Sequence, residues 1–129
     1  MLQRSAYTVL VVDDYDAQRY AIARGLRAQG FATLEAATGE EALQLAPQAA
    51  AVVLDVNLPD ISGVEVCRRI RSEAATAKLP VVHVSAVYIT RHHQAMAEHA
   101  GADDYMLSPV DPQALARTLD GLIARRNGG

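Results

Sequence analysis

The chain has 129 residues, of which half are apolar and about a fifth are charged, as in a globular domain with one core. Its net charge of −3 argues against a nucleic-acid-binding surface. The apolar runs are far shorter than a membrane span, the first residues lack a signal-peptide core, and the one cysteine allows no internal disulfide. We therefore expect a single cytoplasmic domain over residues 1–129, with its core at about 8–126 and no association with membranes.

Five short apolar runs alternate along the chain with five amphipathic segments. The first, third and fourth runs are almost continuous in Val and Leu, which is typical of strands that are covered on both faces. The runs predict β-strands at residues 8–12, 32–36, 51–55, 80–84 and 104–107.

The segments between the runs carry signals for helix ends. Thr38 and Glu41 form a capping box that predicts the start of the second helix, and Pro47 predicts its end. Asp111 followed by Pro112 predicts the start of the last helix.

Strands that alternate with helices pair in parallel through right-handed crossovers. The first strand is not followed by the Gly-x-Gly-x-x-Gly pattern of dinucleotide-binding sheets. We therefore predict an α/β fold with a flavodoxin-like, doubly wound sheet of five parallel strands in the order 2-1-3-4-5, together with five helices. Such sheets bind ligands beyond the carboxyl ends of their strands, between strands 1 and 3.

Acidic and hydroxyl side chains follow the predicted strands at this edge. Asp13 and Asp14 follow strand 1, and Asp55 ends strand 3, while Ser85 and Ser108 follow strands 4 and 5. Three neighbouring carboxylates repel one another, so one must be protonated or a cation must join them. Oxygen ligands of this kind suit Mg²⁺, and a carboxylate beside Mg²⁺ can attack a phosphoryl group. We expect Asp55 to be this nucleophile and Ser85 to donate to a phosphoryl oxygen.

Four stretches, VLVVDDY, LDVNLPDISGVEVCRRIR, PVVHVSA and GADDYMLSP, resemble together the receiver domain of two-component response regulators. The resemblance implies that Asp55 is the phosphoacceptor. It also implies that Mg²⁺ is held by Asp14 directly, by Asp13 largely through water, by Asp55 and by the backbone carbonyl of Asn57. Tyr105 matches the aromatic switch residue, whose ring moves inward when the hydroxyl at Ser85 is recruited.

The same resemblance implies a signalling module rather than an enzyme. Its phosphoryl donor would be a histidine kinase or a phosphotransfer protein, and its output a downstream protein target or self-association. Neither nucleic acid nor membrane is an expected partner.

One position departs from the family. Receiver domains typically have Lys-Pro after strand 5, whereas this chain has Ser108-Pro109. The absent lysine would stabilise phosphoryl charge by about 4 kcal/mol, for unit charges about 4 Å apart at an effective dielectric of about 20. The only lysine, Lys78, precedes strand 4 and lies roughly 15 Å away at its opposite end. Arg91 and His92, in the fourth predicted helix, are the remaining basic candidates.

Two functions stay open on these grounds. The complete acidic cluster favours a phosphoacceptor, and the missing lysine favours a receiver-fold module that signals through protein contacts without stable phosphorylation. A flavin-binding electron carrier is disfavoured by the acidic turn VVDDYD and the absence of Trp, and a phosphatase with an aspartate nucleophile by Asn57 in place of a second acid.

Several other polar residues have ordinary structural interpretations. Cys67 is expected to be a buried apolar thiol. The spacing of the histidines fits no common metal-ligand pattern, so a solvated helix face is expected there. The arginines of the third helix are also expected to be solvated. The histidines are His92, His93 and His99, and the arginines are Arg68, Arg69 and Arg71.

Overall fold

The computed structural model describes residues 2–85 and 101–128. All five strands pair in parallel in one sheet of order 2-1-3-4-5, which confirms the predicted topology. Four strands have the predicted bounds, and the fourth begins and ends one residue later, so that Ser85 belongs to the strand. The strands are β1 (Thr8–Val12), β2 (Ala32–Ala36), β3 (Ala51–Asp55), β4 (Val81–Ser85) and β5 (Asp104–Leu107).

Four α-helices lie in the described residues, and the helix predicted between β4 and β5 lies outside them. The Thr38 and Ser62 side chains cap the second and third helices by accepting from the backbone N–H of the third residue of each helix. None of these helices is both long and apolar enough to cross a membrane. The helices are α1 (Asp16–Ala28), α2 (Gly39–Leu45), α3 (Gly63–Ser72) and α4 (Pro112–Gly128), with 3-10 turns at Arg4–Ala6 and Ala46–Gln48.

The helices cover both faces of the sheet. Alternate residues of β1 point to opposite faces, so Val9 and Val11 pack with α1 and α4, whereas Leu10 and Val12 pack with α2 and α3. All four are fully or almost fully buried. The core therefore has two apolar layers, one on each face of the sheet.

The expectation of a solvated Arg71 is wrong. Its guanidinium donates to the backbone carbonyls of Leu79 and Gly101 and forms an ion pair with Asp103 at 2.9 Å. The planar guanidinium carries several donors in fixed directions, so one side chain can satisfy carbonyls that precede two neighbouring strands. Arg68 and Arg69 are exposed, as expected.

Close packing at Gly63 fixes the segment that follows β3. The Gly63 N–H donates to the Val56 carbonyl at 2.8 Å. A Cβ atom at this position would lie 2.2 Å from the backbone oxygen of Asp55. The first residue of α3 must therefore lack a side chain, because the helix begins directly against the end of β3.

We predict that Gly63→Ala lowers the free energy of unfolding by about 1–3 kcal/mol, since the new methyl group meets rigid backbone. The matched control is Gly121→Ala in α4, where a Cβ atom would have no neighbour within 4 Å. Because alanine favours helix over glycine, this control should raise the free energy of unfolding by about 0.5–1 kcal/mol. Urea unfolding curves of both variants measure the difference, and equal effects would contradict the packing argument.

Candidate functional site

The carboxyl ends of β1 and β3 bring three acidic side chains together. Val12 is paired in register with Leu54, so the next residues of both strands, Asp13 and Asp55, reach the same edge of the sheet. Carboxylate oxygens of Asp13, Asp14 and Asp55 lie within 4.8 Å of one another. The sheet therefore holds negative charge at one point.

The three carboxylates differ in exposure. Asp13 is 2% exposed, Asp55 is partly buried and Asp14 is exposed. Burial and the charges of Asp13 and Asp14 raise the pKa of Asp55, while the Asn57 N–H, donating at 3.1 Å, lowers it; the net pKa is about 6. Without a cation, a proton on Asp55 relieves part of the repulsion.

Neutral donors stabilise the buried Asp13 carboxylate. The backbone N–H of Tyr15 donates to Oδ1 at 2.9 Å, and the amide Nε2 of Gln18 donates to Oδ2 at 2.5 Å. The Arg19 guanidinium donates to the backbone carbonyl of Asp13 instead, and it forms ion pairs with Asp16 and Glu35. Within residues 2–85 and 101–128, no Arg or Lys forms an ion pair with the three carboxylates.

Ser108, which follows β5, contacts this group through Gln18. The Ser108 hydroxyl donates to Oε1 of Gln18 at 2.9 Å. Its backbone N–H donates to the carbonyl of Ser85 at 2.8 Å, which ties the end of β5 to the end of β4. Arg91 and His92, the basic candidates from the sequence, lie outside the described residues.

The other predicted site residues lie on the neighbouring strands and on the loop after β3. Ser85 is buried, and it follows Val84, the register partner of Asp55. Tyr105 is partly buried on β5, and Asn57 is exposed on the loop after β3.

Two residues of the site could not be recognised in the sequence. Gln18 looks like any polar residue in the first turn of a helix. His83 on β4 is fully buried and paired with Tyr105, with ring centroids 5.3 Å apart. Its Nδ1 contacts the Leu54 carbonyl at 3.2 Å, and its Nε2 has no hydrogen-bond partner among the described residues. Burial lowers the pKa of His83, which favours the neutral ring.

Cys67 does not contribute to the described site. Cys67 is fully buried on α3, and burial raises the pKa of its thiol to about 11, so it is not a thiolate nucleophile. This confirms the expected buried thiol. His92, His93 and His99 lie outside the described residues.

The donor set fits a magnesium ion. Three carboxylates offer hard oxygen ligands within a small space, and the exposed Asp14 leaves one side open to water. Mg²⁺ is usually bound by one or two carboxylates while it keeps several waters. The residues present are therefore of the kind that this ion requires.

Comparisons with known proteins point to one family. The sequence-family model of the response regulator receiver domain matches residues 9–120 of this chain. The cyclic di-GMP phosphodiesterase of Thermotoga maritima is 35% identical over 92% of this chain and 32% of its own length. The transcriptional regulatory protein AfsQ1 of Streptomyces coelicolor is 36% identical over 92% of this chain and 52% of its own length. The chain thus spans a third to a half of these two relatives.

A solved structure agrees with this match. The receiver domain of the Francisella response regulator 1452 superimposes with a TM-score of 0.82 at 26% identity, and the match covers 92% of this chain and 98% of that one.

We predict that Asp55→Asn stabilises the metal-free protein at about pH 8. The raised pKa means that folding is favoured while Asp55 is protonated, and that this contribution is lost as the pH rises through about 6. The gain in melting temperature should therefore shrink as the pH falls from about 8 to about 4. Thermal unfolding followed by circular dichroism measures it. Asp104→Asn, on the exposed edge strand, is the control, and a gain independent of pH would contradict the assignment.

Proposed function

Because this chain belongs to the response regulator receiver domains, we propose that it is a phosphoacceptor module of a two-component phosphorelay, with Asp55 as the phosphoacceptor. The observation that carries the proposal is the convergence of Asp13, Asp14 and Asp55 at the carboxyl ends of β1 and β3. An acidic cluster at this point of a parallel sheet has no role in core packing.

The proposed step is phosphoryl transfer from a phosphohistidine of a histidine kinase or phosphotransfer protein. A carboxylate oxygen of Asp55 forms a bond to phosphorus, the P–N bond breaks, and the histidine nitrogen leaves with the electron pair. Such a transfer asks the protein mainly for in-line positioning and for stabilisation of charge. The Asn57 N–H holds one oxygen of Asp55 at 3.1 Å, so the carboxylate is oriented before a donor arrives.

We propose that magnesium is bound by Asp13, Asp14, Asp55 and the backbone carbonyl of Asn57. When bound, Mg²⁺ neutralises negative charge on the transferring phosphoryl group. The chain itself contributes the fixed placement of Asp13, whose two oxygens each accept from a neutral donor.

Ser85 and Tyr105 are proposed to read the phosphoryl group. Ser85 lies on β4 one residue beyond the register partner of Asp55, so its hydroxyl is on the strand next to the phosphoacceptor. Tyr105 lies one strand further out, against His83. We propose that the Tyr105 ring changes position when Ser85 turns toward the phosphoryl group, and that a downstream protein or a second copy of the chain binds the altered surface. We propose the cytoplasm as the place where this happens.

A second function, signalling through protein contacts without stable phosphorylation, is supported by Ser108. Its hydroxyl is directed to Gln18, and a serine supplies no positive charge to a phosphoryl group. Less stabilisation of the phosphorylated state then weakens the link between Asp55 and β5.

We predict that acetyl phosphate adds one phosphoryl group to the wild-type chain only when Mg²⁺ is present. Asp55→Asn should show no gain in intact mass, because it lacks the nucleophile. Asp104→Asn keeps the acidic pocket and should behave as wild type. Modification of Asp55→Asn to the wild-type level would overturn the phosphoacceptor assignment.

We predict that a phosphoryl mimic shifts few amide resonances of β5 in the wild type, since Ser108 cannot form an ion pair with it. Ser108→Lys should increase the shifts at Ser85 and Tyr105, because an ammonium group restores that ion pair. Two-dimensional amide NMR of both proteins, with and without the mimic, measures the effect. Large shifts through β5 in the wild type would favour full coupling and reject the second function.

A further inference from the structure

Gln18 stands between the acidic cluster and the position where the family has its lysine. Its amide nitrogen donates to Oδ2 of Asp13, and its amide oxygen accepts from the hydroxyl of Ser108. Ser108 is 90 residues away along the chain, so the fold and not the local sequence brings the two together. The three side chains form a continuous hydrogen-bonded relay from Asp13 to the end of β5.

The relay has a defined direction. A carboxylate oxygen only accepts, so the Gln18 group that faces Asp13 must be the NH₂ group. The amide oxygen then faces Ser108, whose hydroxyl can donate to it. If the amide turned over, two oxygens would face each other at Asp13, although the Ser108 hydroxyl could still accept from the NH₂ group. The Asp13 carboxylate therefore determines which end of the Gln18 amide faces it, and the Ser108 hydroxyl holds the other end in place.

Asp13 needs such an outer contact because its side chain is almost fully buried. It is 2% exposed, and the Tyr15 N–H supplies a donor to only one of its two oxygens. Without Gln18 the second oxygen would lose its donor in a buried position, and the carboxylate would turn away from its present orientation. That change makes it a poorer ligand, since metal binding requires a carboxylate in a fixed position.

We propose that Gln18 is a positioning residue of the metal site, and that it couples occupation of that site by a divalent cation to Ser108 at the end of β5. This proposal rests on the proposed function, because it assumes that Asp13 belongs to a magnesium site. A cation that draws on Asp13 weakens or redirects the Gln18 contact, and the Ser108 hydroxyl follows the amide. The chain thereby replaces a charged contact at the phosphoryl group with a neutral contact to the metal ligand.

The test is calorimetric titration of the full chain with Mg²⁺ alone. Gln18→Met keeps the length of the side chain and removes both hydrogen bonds, so Mg²⁺ should bind about tenfold more weakly. Ser108→Ala removes the hydrogen bond that anchors the amide oxygen and should weaken Mg²⁺ binding, but by less than Gln18→Met, which loses both hydrogen bonds. Ser108→Thr keeps the hydroxyl and should restore wild-type affinity. Gln44→Met, at an exposed position on α2, is the matched control.

Two further measurements separate a relay from a general loss of stability. In the wild type, Mg²⁺ should shift the amide resonance of Ser108, and Gln18→Met should abolish this shift while those of Asp14 and Asp55 remain. The double variant Gln18→Met with Ser108→Ala should bind Mg²⁺ as weakly as Gln18→Met alone, because both changes interrupt one path.

Each outcome decides one proposal. Unchanged or tighter Mg²⁺ binding by Gln18→Met, or additive losses in the double variant, would overturn the relay and leave the phosphoacceptor function standing. Wild-type protein that binds Mg²⁺ but gains no phosphoryl group would overturn the phosphoacceptor function, while the relay would still be judged on affinity. No Mg²⁺ binding by the wild type would overturn both.

Discussion

Repulsion among three carboxylates at one edge of the sheet is the constraint on which the site depends. Asp13 and Asp55 follow a register pair on adjacent parallel strands, so they cannot move apart without breaking the pairing of β1 and β3. Both strands are buried in the core, which makes that pairing expensive to break. The fold thus leaves the charge in place, and the surroundings must accommodate it.

Neutral hydrogen-bond donors and a proton on Asp55 reduce the repulsion among the three carboxylates. Tyr15 and Gln18 donate to Asp13, Asn57 donates to Asp55, and the raised pKa of Asp55 allows that group to become protonated. Neutral donors fix the carboxylates without cancelling their charge. The described part of the pocket therefore keeps a negative charge that a divalent cation can neutralise, whereas a lysine at position 108 would supply a permanent positive charge.

The strands and the acidic cluster could be predicted because both depend on local patterns. Val-rich runs mark buried strands, and acids at their carboxyl ends converge in any parallel sheet of this order. The end of β4 was predicted one residue short, since Ser85 looks like a loop residue, although its pairing with Leu107 keeps it in the ladder.

The contacts of Gln18 with Ser108 and of Arg71 with Gly101 could not be predicted, because they join residues far apart in sequence. Ser108 is 90 positions from Gln18, and the Gly101 carbonyl is 30 positions from Arg71. A polar or charged residue on an amphipathic helix normally faces water, and the local sequence carries no signal that it has a hydrogen-bond partner elsewhere in the chain. The error about Arg71 and the omission of Gln18 thus have the same physical origin.

The loop after β3 is rigid, which limits the segments that can move when the charge at Asp55 changes. The loop after β3 is fixed at Gly63, which packs against the Asp55 backbone, and at Asp60, whose carboxylate accepts from the Gly39 and Glu40 N–H groups at 2.8 and 2.9 Å. Those donors lower the pKa of Asp60. These two contacts restrain the loop, so it moves little when the charge at Asp55 changes.

The opposite side of the site is connected differently. Ser85 and Ser108 are joined by one backbone hydrogen bond at the ends of β4 and β5, and Ser108 continues to Gln18 and Asp13. Hydroxyl and amide groups can turn about single bonds without breaking the sheet. A change of charge in the pocket is therefore accommodated most easily through these side chains, so Ser108 lies on the path that connects the acidic site with the end of β5.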